Sequence, residues 1–191
     1  MPGPILRTRN AAATRESILA AARGRFLADS YDAVGLRDIA GDAGVDVALV
    51  GRYFGSKEEL FRQVLRGDEP GKLDELTAAA SLPEFLADLA IKPHGKDRSE
   101  HVEKLLLILR SASSPTASGI VREAFSEDVL RPVAEFIDGP DAGVRASLAL
   151  TVLIGTTILD TIMAVGPLCD SDREPVRRRL VRVLEAALAP A

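Results

Sequence analysis

Apolar positions recur at helical spacing along most of the chain. Ile18, Ala22 and Phe26 fall every fourth residue, as one buried helical stripe requires. Thr14 precedes that stripe as a candidate N-cap, and the helix is predicted to end near Asp29–Ser30. Residues 1–11 read as a disordered basic arm. Gly35 opens a second, short helix carrying Leu36, Ile39, Ala40 and Ala43. Gly44 is its candidate C-cap, and Asp46 is a good N-cap for a third helix from Val47 to Tyr53. Ser56, with Glu59 three residues later, predicts a capping box on a fourth helix, whose apolar face is Leu60, Phe61, Val64 and Leu65.

The run Gly67-Asp68-Glu69-Pro70-Gly71 interrupts this order. It marks a boundary between a domain over 12–66 and a second over 72–191. In the second, the pattern predicts helices near 73–91 (with Pro83 starting a new segment), 99–113, 116–138, 141–165 and 173–189. They are separated by Lys92-Pro93-His94-Gly95, Ser113-Ser114-Pro115, Asp138-Gly139-Pro140 and Gly166-Pro167. There is no internal repeat and no low-complexity tract.

Composition sharpens the fold class to all-α. Ala, Leu, Arg and Glu dominate, aromatics make up 4% of the residues, and β-branched alternation is nowhere sustained. The net charge of −4 argues against a nucleic-acid partner only if charge is evenly spread. It is not. Residues 1–25 carry Arg7, Arg9, Arg15, Arg23 and Arg25 against Glu16, and a local patch rather than the total sets attraction to phosphate. Cys169 is the sole cysteine, which excludes an intramolecular disulfide and a multi-cysteine zinc site. The apolar run Ala146–Val165 is of membrane-spanning length, but its threonines and Asp160 suit a buried interface helix better. Met1 to Asn10 contain no apolar signal core. A soluble cytoplasmic protein, with no membrane partner, is the expectation.

The segment Leu36–Phe54 has the spacing of a helix-turn-helix. Ala40 is small where two helices cross, Gly44 sits where the chain reverses, and Ile39, Ala43, Val45 and Val50 lock the two helices together. Asp46, Val47, Leu49 and Arg52 are left as an exposed face suited to a major groove. A tight helical hairpin without DNA affinity would use the same spacing.

The flanks add Thr14-Arg15-Glu16-Ser17-Ile18-Leu19-Ala20-Ala21-Ala22, Phe26, and Tyr53-Phe54-Gly55-Ser56-Lys57-Glu58-Glu59-Leu60-Phe61. Together with the helix-turn-helix they closely resemble the DNA-binding domain of the TetR family of transcriptional regulators, over nearly all of 14–61. More loosely, Leu109-Arg110-Ser111-Ala112, Asp138-Gly139-Pro140-Asp141 with Arg145, and Gly155 resemble the C-terminal domain of an actinobacterial-type subgroup. The resemblance implies a homodimeric regulator, a repressor by family habit, released from a palindromic operator by a small hydrophobic effector.

The third helix would then be the recognition helix, with the start of the fourth on the DNA backbone. The implied DNA-binding residues are Arg15, Arg37, Asp46, Val47, Ala48, Leu49, Arg52, Tyr53 and Lys57. Lys57 adds a charge to the positive end of a helix, which suits phosphate, the rival reading being a solvated surface lysine. Arg37 is read as a phosphate contact, or as one half of an ion pair with Asp38 or Asp42. Val47 and Leu49 suit thymine methyls, and Arg52 suits guanine or phosphate. Arg7, Arg9 and Arg15 are candidates for minor-groove or backbone contacts by an arm, or belong to a disordered tail that keeps the protein soluble.

Two positions depart from the family pattern. Gly51 stands where members commonly carry a large ring, and Asp46 where serine is frequent. Both shift the expected DNA contact toward Arg52, Lys57, Arg37 and the basic arm.

The resemblance places the homodimer interface on the last two helices. Residues 146–165 are apolar on more than one face, and Val176, Leu180, Val183, Leu184, Ala187 and Leu188 line one side of the final helix. The effector site is assigned to His101, Leu105, Ile108, Ser113, Phe125, Thr151 and Thr157. Neither a catalytic set nor a Walker or dinucleotide motif occurs, and two histidines leave little for metal or base chemistry, so no enzyme, cofactor or metal is expected. The remaining alternative is a protein that kept this fold to bind small molecules or partners, with weak or lost DNA binding.

Overall fold

A computed structural model describes residues 5–67, 81–91, 96–169 and 171–190. Most of Gly67–Gly71, the segment 73–80, and Lys92–Gly95 with His94 lie outside them, as do the side chains of Arg7 and Arg9. Among the described residues there is no strand. The helices are α1 (Ile5–Ala28), α2 (Leu36–Ala43), α3 (Val47–Phe54), α4 (Lys57–Arg66), α5 (Leu82–Ala90), α6 (Lys96–Ser111), α7 (Ala117–Phe125), α8 (Arg131–Glu135), α9 (Ala142–Thr157), α10 (Gly166–Cys169) and α11 (Arg173–Leu188). A short 3₁₀ turn, Tyr31–Ala33, joins α1 to α2.

The chain forms two compact units. The first comprises Met1–Asp68 with Leu106–Ala124, and the second Glu69–Leu105 with Phe125–Ala191. The end of α6 and nearly all of α7 therefore pack with the helix-turn-helix, a grouping that sequence distance does not suggest.

The first unit has one continuous core. Ile18, Ala22 and Phe26 of α1, Ile39 and Ala40 of α2, Val50 and Phe54 of α3, and Leu60, Phe61, Val64 and Leu65 of α4 are all buried in it. Leu107, Ala117, Ile120, Val121 and Ala124 complete it from α6 and α7. At its centre Phe61 meets Phe26 edge-on at 4.8 Å between ring centroids and lies 5.0 Å from Tyr31. Interlocked rings of this kind add about 0.5–1.5 kcal/mol per pair beyond area burial.

The second unit has two smaller clusters. Leu86 and Ala87 of α5, Ala149 of α9 and Leu184 of α11 form one; Val133, Ala146 and Leu150 form the other. Arg145, 7% exposed, donates to the carbonyls of Leu188 (2.9 Å) and Asp138. It thereby ties the end of α11 and the Asp138 turn to α9. Asp160 is also buried, and Arg173 donates to its carboxylate at 2.7 Å.

Four expectations are corrected. The arm expected over residues 1–11 is helical from Ile5, so Thr14 lies inside α1 rather than at its cap. The stretch before it is rich in Arg and Ala, among the best helix formers. The Ser56 hydroxyl does accept from the Glu59 N–H at 3.1 Å. The reciprocal half of the capping box is missing, because the Glu59 carboxylate accepts from Arg62 and Gln63 instead. The single helix expected over 116–138 ends at Glu135, with a wide π turn at Ser126–Leu130 before Pro132. A proline cannot donate the next regular helical bond, and the wider turn absorbs its absence. A second π turn, Ile158–Ile162, closes α9 within the helix expected over 141–165.

Candidate nucleic-acid interface

The turn between α2 and α3 is built as its residues require. Gly44 adopts φ +66° and ψ 32°, a left-handed conformation that glycine takes without the Cβ penalty. Its N–H, with that of Val45, returns to carbonyls at the end of α2. Asp46 then caps α3, its carboxylate accepting from the Ala48 N–H at 2.7 Å. At the start of α2, the Asp38 carboxylate accepts from the Gly35 N–H, and a Cβ at Gly35 would meet that oxygen at 2.8 Å.

Helix α1 braces this pair from behind. Arg25 donates to both carboxylate oxygens of Asp42, one at 2.7 Å, which holds the Asp42 pKa below its usual value, the Arg25 hydrogen bond being the largest cause. The Ser17 hydroxyl donates to the last carbonyl of α2, at Ala43 (3.2 Å). From the far side, Arg110 donates to the carbonyls of Leu27 and Ala28 at the end of α1, and Arg62 pairs with Glu123 at 3.2 Å. Signals for these braces are weak in sequence, because each joins residues separated by many positions.

Helix α3 has one buried face and one open face. Val50 and Phe54 are buried; Leu49 and Tyr53 are half-buried; Asp46, Val47, Ala48, Gly51 and Arg52 are exposed. Val47, at 40% exposure, is an apolar side chain held in water on the face that a groove would cover. A Cβ at Gly51 would meet nothing within 4 Å. The helix thus has room for a ring at that position and lacks only the side chain.

Of the sequence-predicted cations, Arg37 and Arg52 are exposed. Both acids named as rival partners of Arg37 are engaged elsewhere, Asp38 with Gly35 and Asp42 with Arg25. Arg15 is directed along its own unit instead. It donates to the Gln63 side chain, and its guanidinium lies 5.3 Å from the Phe54 ring centroid. Lys57 is half-buried, with its ammonium 4.3 Å from the Tyr31 ring centroid. Burial lowers its pKa, opposed by the charges of Asp32 and Glu58. Tyr31 and Asp32 were not singled out by the sequence pattern; the ring–lysine pairing spans 26 positions and has no periodic signature.

The assigned effector residues are divided between the two units. Ile108 and Ser113 belong to the first unit, with Ile108 against its core and Ser113 exposed. In the second unit Leu105 is buried, Phe125 packs on the Val133 cluster, and His101 is half-buried. Thr151 and Thr157 donate to carbonyls of their own helix, at Ser147 and Leu153. A surface cleft of about 460 Å³ lies elsewhere in that unit, between α10 and α11, lined by Leu168, Pro175, Val176, Arg179, Leu180 and Val183 among others. Lys104, one residue before Leu105, is withdrawn from water enough to lower its pKa, partly offset by Asp128. Among the described residues no cluster of His, Cys, Asp and Glu is arranged to hold a metal.

A glycine-turned helix pair, braced by a third helix and presenting one open face, defines a helix-turn-helix DNA-binding protein with a second, all-helical unit. Comparison carries this further. Residues 18–64 match the model described as bacterial regulatory proteins, tetR family, and residues 81–188 match the tetracyclin repressor-like C-terminal domain. The chain belongs to the TetR family and is a DNA-binding transcriptional regulator.

Among solved structures it is similar to a TetR-family regulator from Streptomyces coelicolor, at 33% identity and a TM-score of 0.52, covering 93% of this chain and 95% of that one. It also shares its fold with NalD, the secondary repressor of the MexAB-OprM multidrug efflux pump in Pseudomonas aeruginosa. There the identity is 20%, the TM-score 0.63, and the coverage 89% of this chain and 95% of that one. A regulator from Mesorhizobium loti matches at 20% identity and a TM-score of 0.52, over 93% and 96% of the two chains. No curated protein matches.

Proposed function

We propose that this regulator is a homodimeric repressor that holds a palindromic operator through two copies of α3 and releases it on binding a small hydrophobic effector. The observation that carries the DNA-binding part is the open face of α3, where Val47, Ala48 and Arg52 stand in water beside exposed Arg37. Arg52 and Arg37 supply charge for phosphate or guanine, while Val47, with half-buried Leu49, supplies methyl contacts. Asp46 caps rather than reads, and Tyr53 is the half-buried edge of the same face. Arg15 and Lys57 join as backbone contacts once released from their rings. Such a chain works in the cytoplasm, where the chromosome is.

Dimerisation through α9 and α11 is supported by the apolar side chains they leave in water. Val144 and Leu148 on α9, Leu159, Ile162 and Met163 at its end, and Val183 on α11 are between 36% and 61% exposed. Two recognition helices reading successive turns of one face of the duplex need a spacing of about 34 Å, one turn of duplex. The effector reading places the ligand in the second unit, where it would act by favouring one of two spacings of those helices.

Gel-shift titration against the protein's own upstream region tests the reading. Sub-micromolar, salt-sensitive binding is expected, and Arg52→Ala with Lys57→Ala is expected to abolish it. Absence of binding, or indifference to the double substitution, would sink the proposal. A single-chain mass by sedimentation at micromolar concentration would sink the dimer.

A further inference from the structure

Lys57 opens α4, and its ammonium rests 4.3 Å from the centroid of the Tyr31 ring. That ring is clamped, 2% exposed and held against Phe61 and Phe26. A fixed ring face attracts an ammonium through its quadrupole, and more strongly where water is partly excluded. The Tyr31 hydroxyl is buried on the Glu58 side; burial first, then the charge and hydrogen bonding of Glu58, push its pKa up to about 12, so the ring stays neutral. Glu58, the next residue, is exposed.

Asp32 follows Tyr31 in the 3₁₀ turn, so its carboxylate sits on the turn that carries the ring. Its carboxylate is fixed from another element. The Ser114 hydroxyl donates to it at 2.6 Å, and the same oxygen accepts from the Ala117 N–H at 3.0 Å, capping α7. Hydrogen bonds from Ser114 and Thr116 hold the Asp32 pKa below the usual carboxylate range. The carboxylate is thus ionised and tied to the start of α7.

We propose that Tyr31 and Asp32 form a holding site for Lys57 in the DNA-free protein, a neutral face and a carboxylate standing in for the phosphate that the lysine later meets. The proposal rests on Lys57 being a DNA-backbone contact. Tyr31 and Asp32 act through the lysine, as positioning residues, and DNA must compete with them for it. DNA affinity is correspondingly set below what an unheld Lys57 would give.

A double-mutant cycle separates the two layers of this claim. The probe is a short fluorescein-labelled duplex of arbitrary sequence at low salt, because a phosphate contact is independent of sequence. Asp32→Asn keeps an acceptor for Ser114 and removes the charge. In otherwise wild-type protein it is expected to tighten binding about two- to fivefold, the range of exposed ion interactions. In a Lys57→Gln background it is expected to change nothing. Equal tightening in both backgrounds would mean that Asp32 merely repels DNA, and no tightening in either would mean that it holds nothing; each overturns the proposal.

Lys57→Gln alone tests the layer beneath. It should weaken binding and make the salt dependence shallower by about one phosphate contact. If it does, the lysine is a DNA contact whatever Asp32 does; if it does not, that reading and the holding site fall together. Nuclear magnetic resonance gives a readout independent of affinity. The methylene protons beside Lys57 Nζ should be shifted upfield by the Tyr31 ring in the free protein and return toward ordinary values with duplex. Protons that stay upfield in the complex would overturn the proposal.

Discussion

The two units bury their apolar residues in different ways. In the first, five helices and the end of α6 close around one core, and among the described residues the large apolar side chains left in water are Val47, on the reading face, and Leu109. In the second, Phe136, Val144, Leu148, Leu159, Ile162, Met163 and Val183 remain exposed beside two smaller clusters. Among the described residues the first unit keeps nearly all of its large apolar side chains inside, whereas the second carries apolar surface beyond what its own clusters use. The lesson is that a reading head must keep its shape without help, because the positions of Val47 and Arg52 depend on α2, α1 and α4 together. The other unit can leave part of its burial to a second copy.

The comparison is tested first where the effect is largest. Phe61→Ala removes the centre of the aromatic cluster and should cost about 3–5 kcal/mol, read by urea unfolding. A loss under about 1 kcal/mol would show that the first unit is not held by this core. Next, Leu148→Asp on the exposed α9 face should convert the proposed dimer to monomer in sedimentation, and at matched subunit concentration should lower stability by about 1–3 kcal/mol. A dimer that survives it with stability intact would remove the contrast between the units.

Gly44→Ala strains the α2–α3 turn at φ +66° and should cost about 1–2 kcal/mol, with DNA affinity falling further than stability. Gly51→Ala works in the opposite direction. It meets open space, and should raise helix stability by about 1 kcal/mol without altering the core.

The smallest effect is in acid. Asp42 and Asp32 have folded pKa values depressed below the ordinary 3.8, so their stabilisation is fully present above about pH 4 and is lost as pH falls through the depressed values. Asp42→Asn should flatten the stability–pH profile below pH 4 and leave it unchanged in shape near neutrality. A profile that keeps its slope would assign acid sensitivity to other groups.

Local signals were the legible ones. Gly44 and Asp46 were readable because a left-handed turn and a helix cap are decided by one residue and its near neighbours. The stripe Ile18–Ala22–Phe26 and the face Leu60–Leu65 were readable because a helix repeats, and all their named apolar residues are buried as the period requires. Thr14 misled, since a capping residue can equally sit within a run of strong helix formers. Glu59 misled because its carboxylate had two nearby donors in α4.

By itself, then, the sequence determined the helical class, the helix-turn-helix with its turn and cap, and the family, since each rests on short-range periodicity or an ordered set of motifs. Only the tertiary structure decided that residues 106–124 pack with the reading head, that Arg15 is drawn to Gln63 and Phe54, and that Lys57 lies on Tyr31 beside an Asp32 fixed by Ser114. The physical reason is common to all three. They are contacts between residues far apart in the chain, formed once cores have set the helix positions, and no local period or motif encodes which distant side chain will be there.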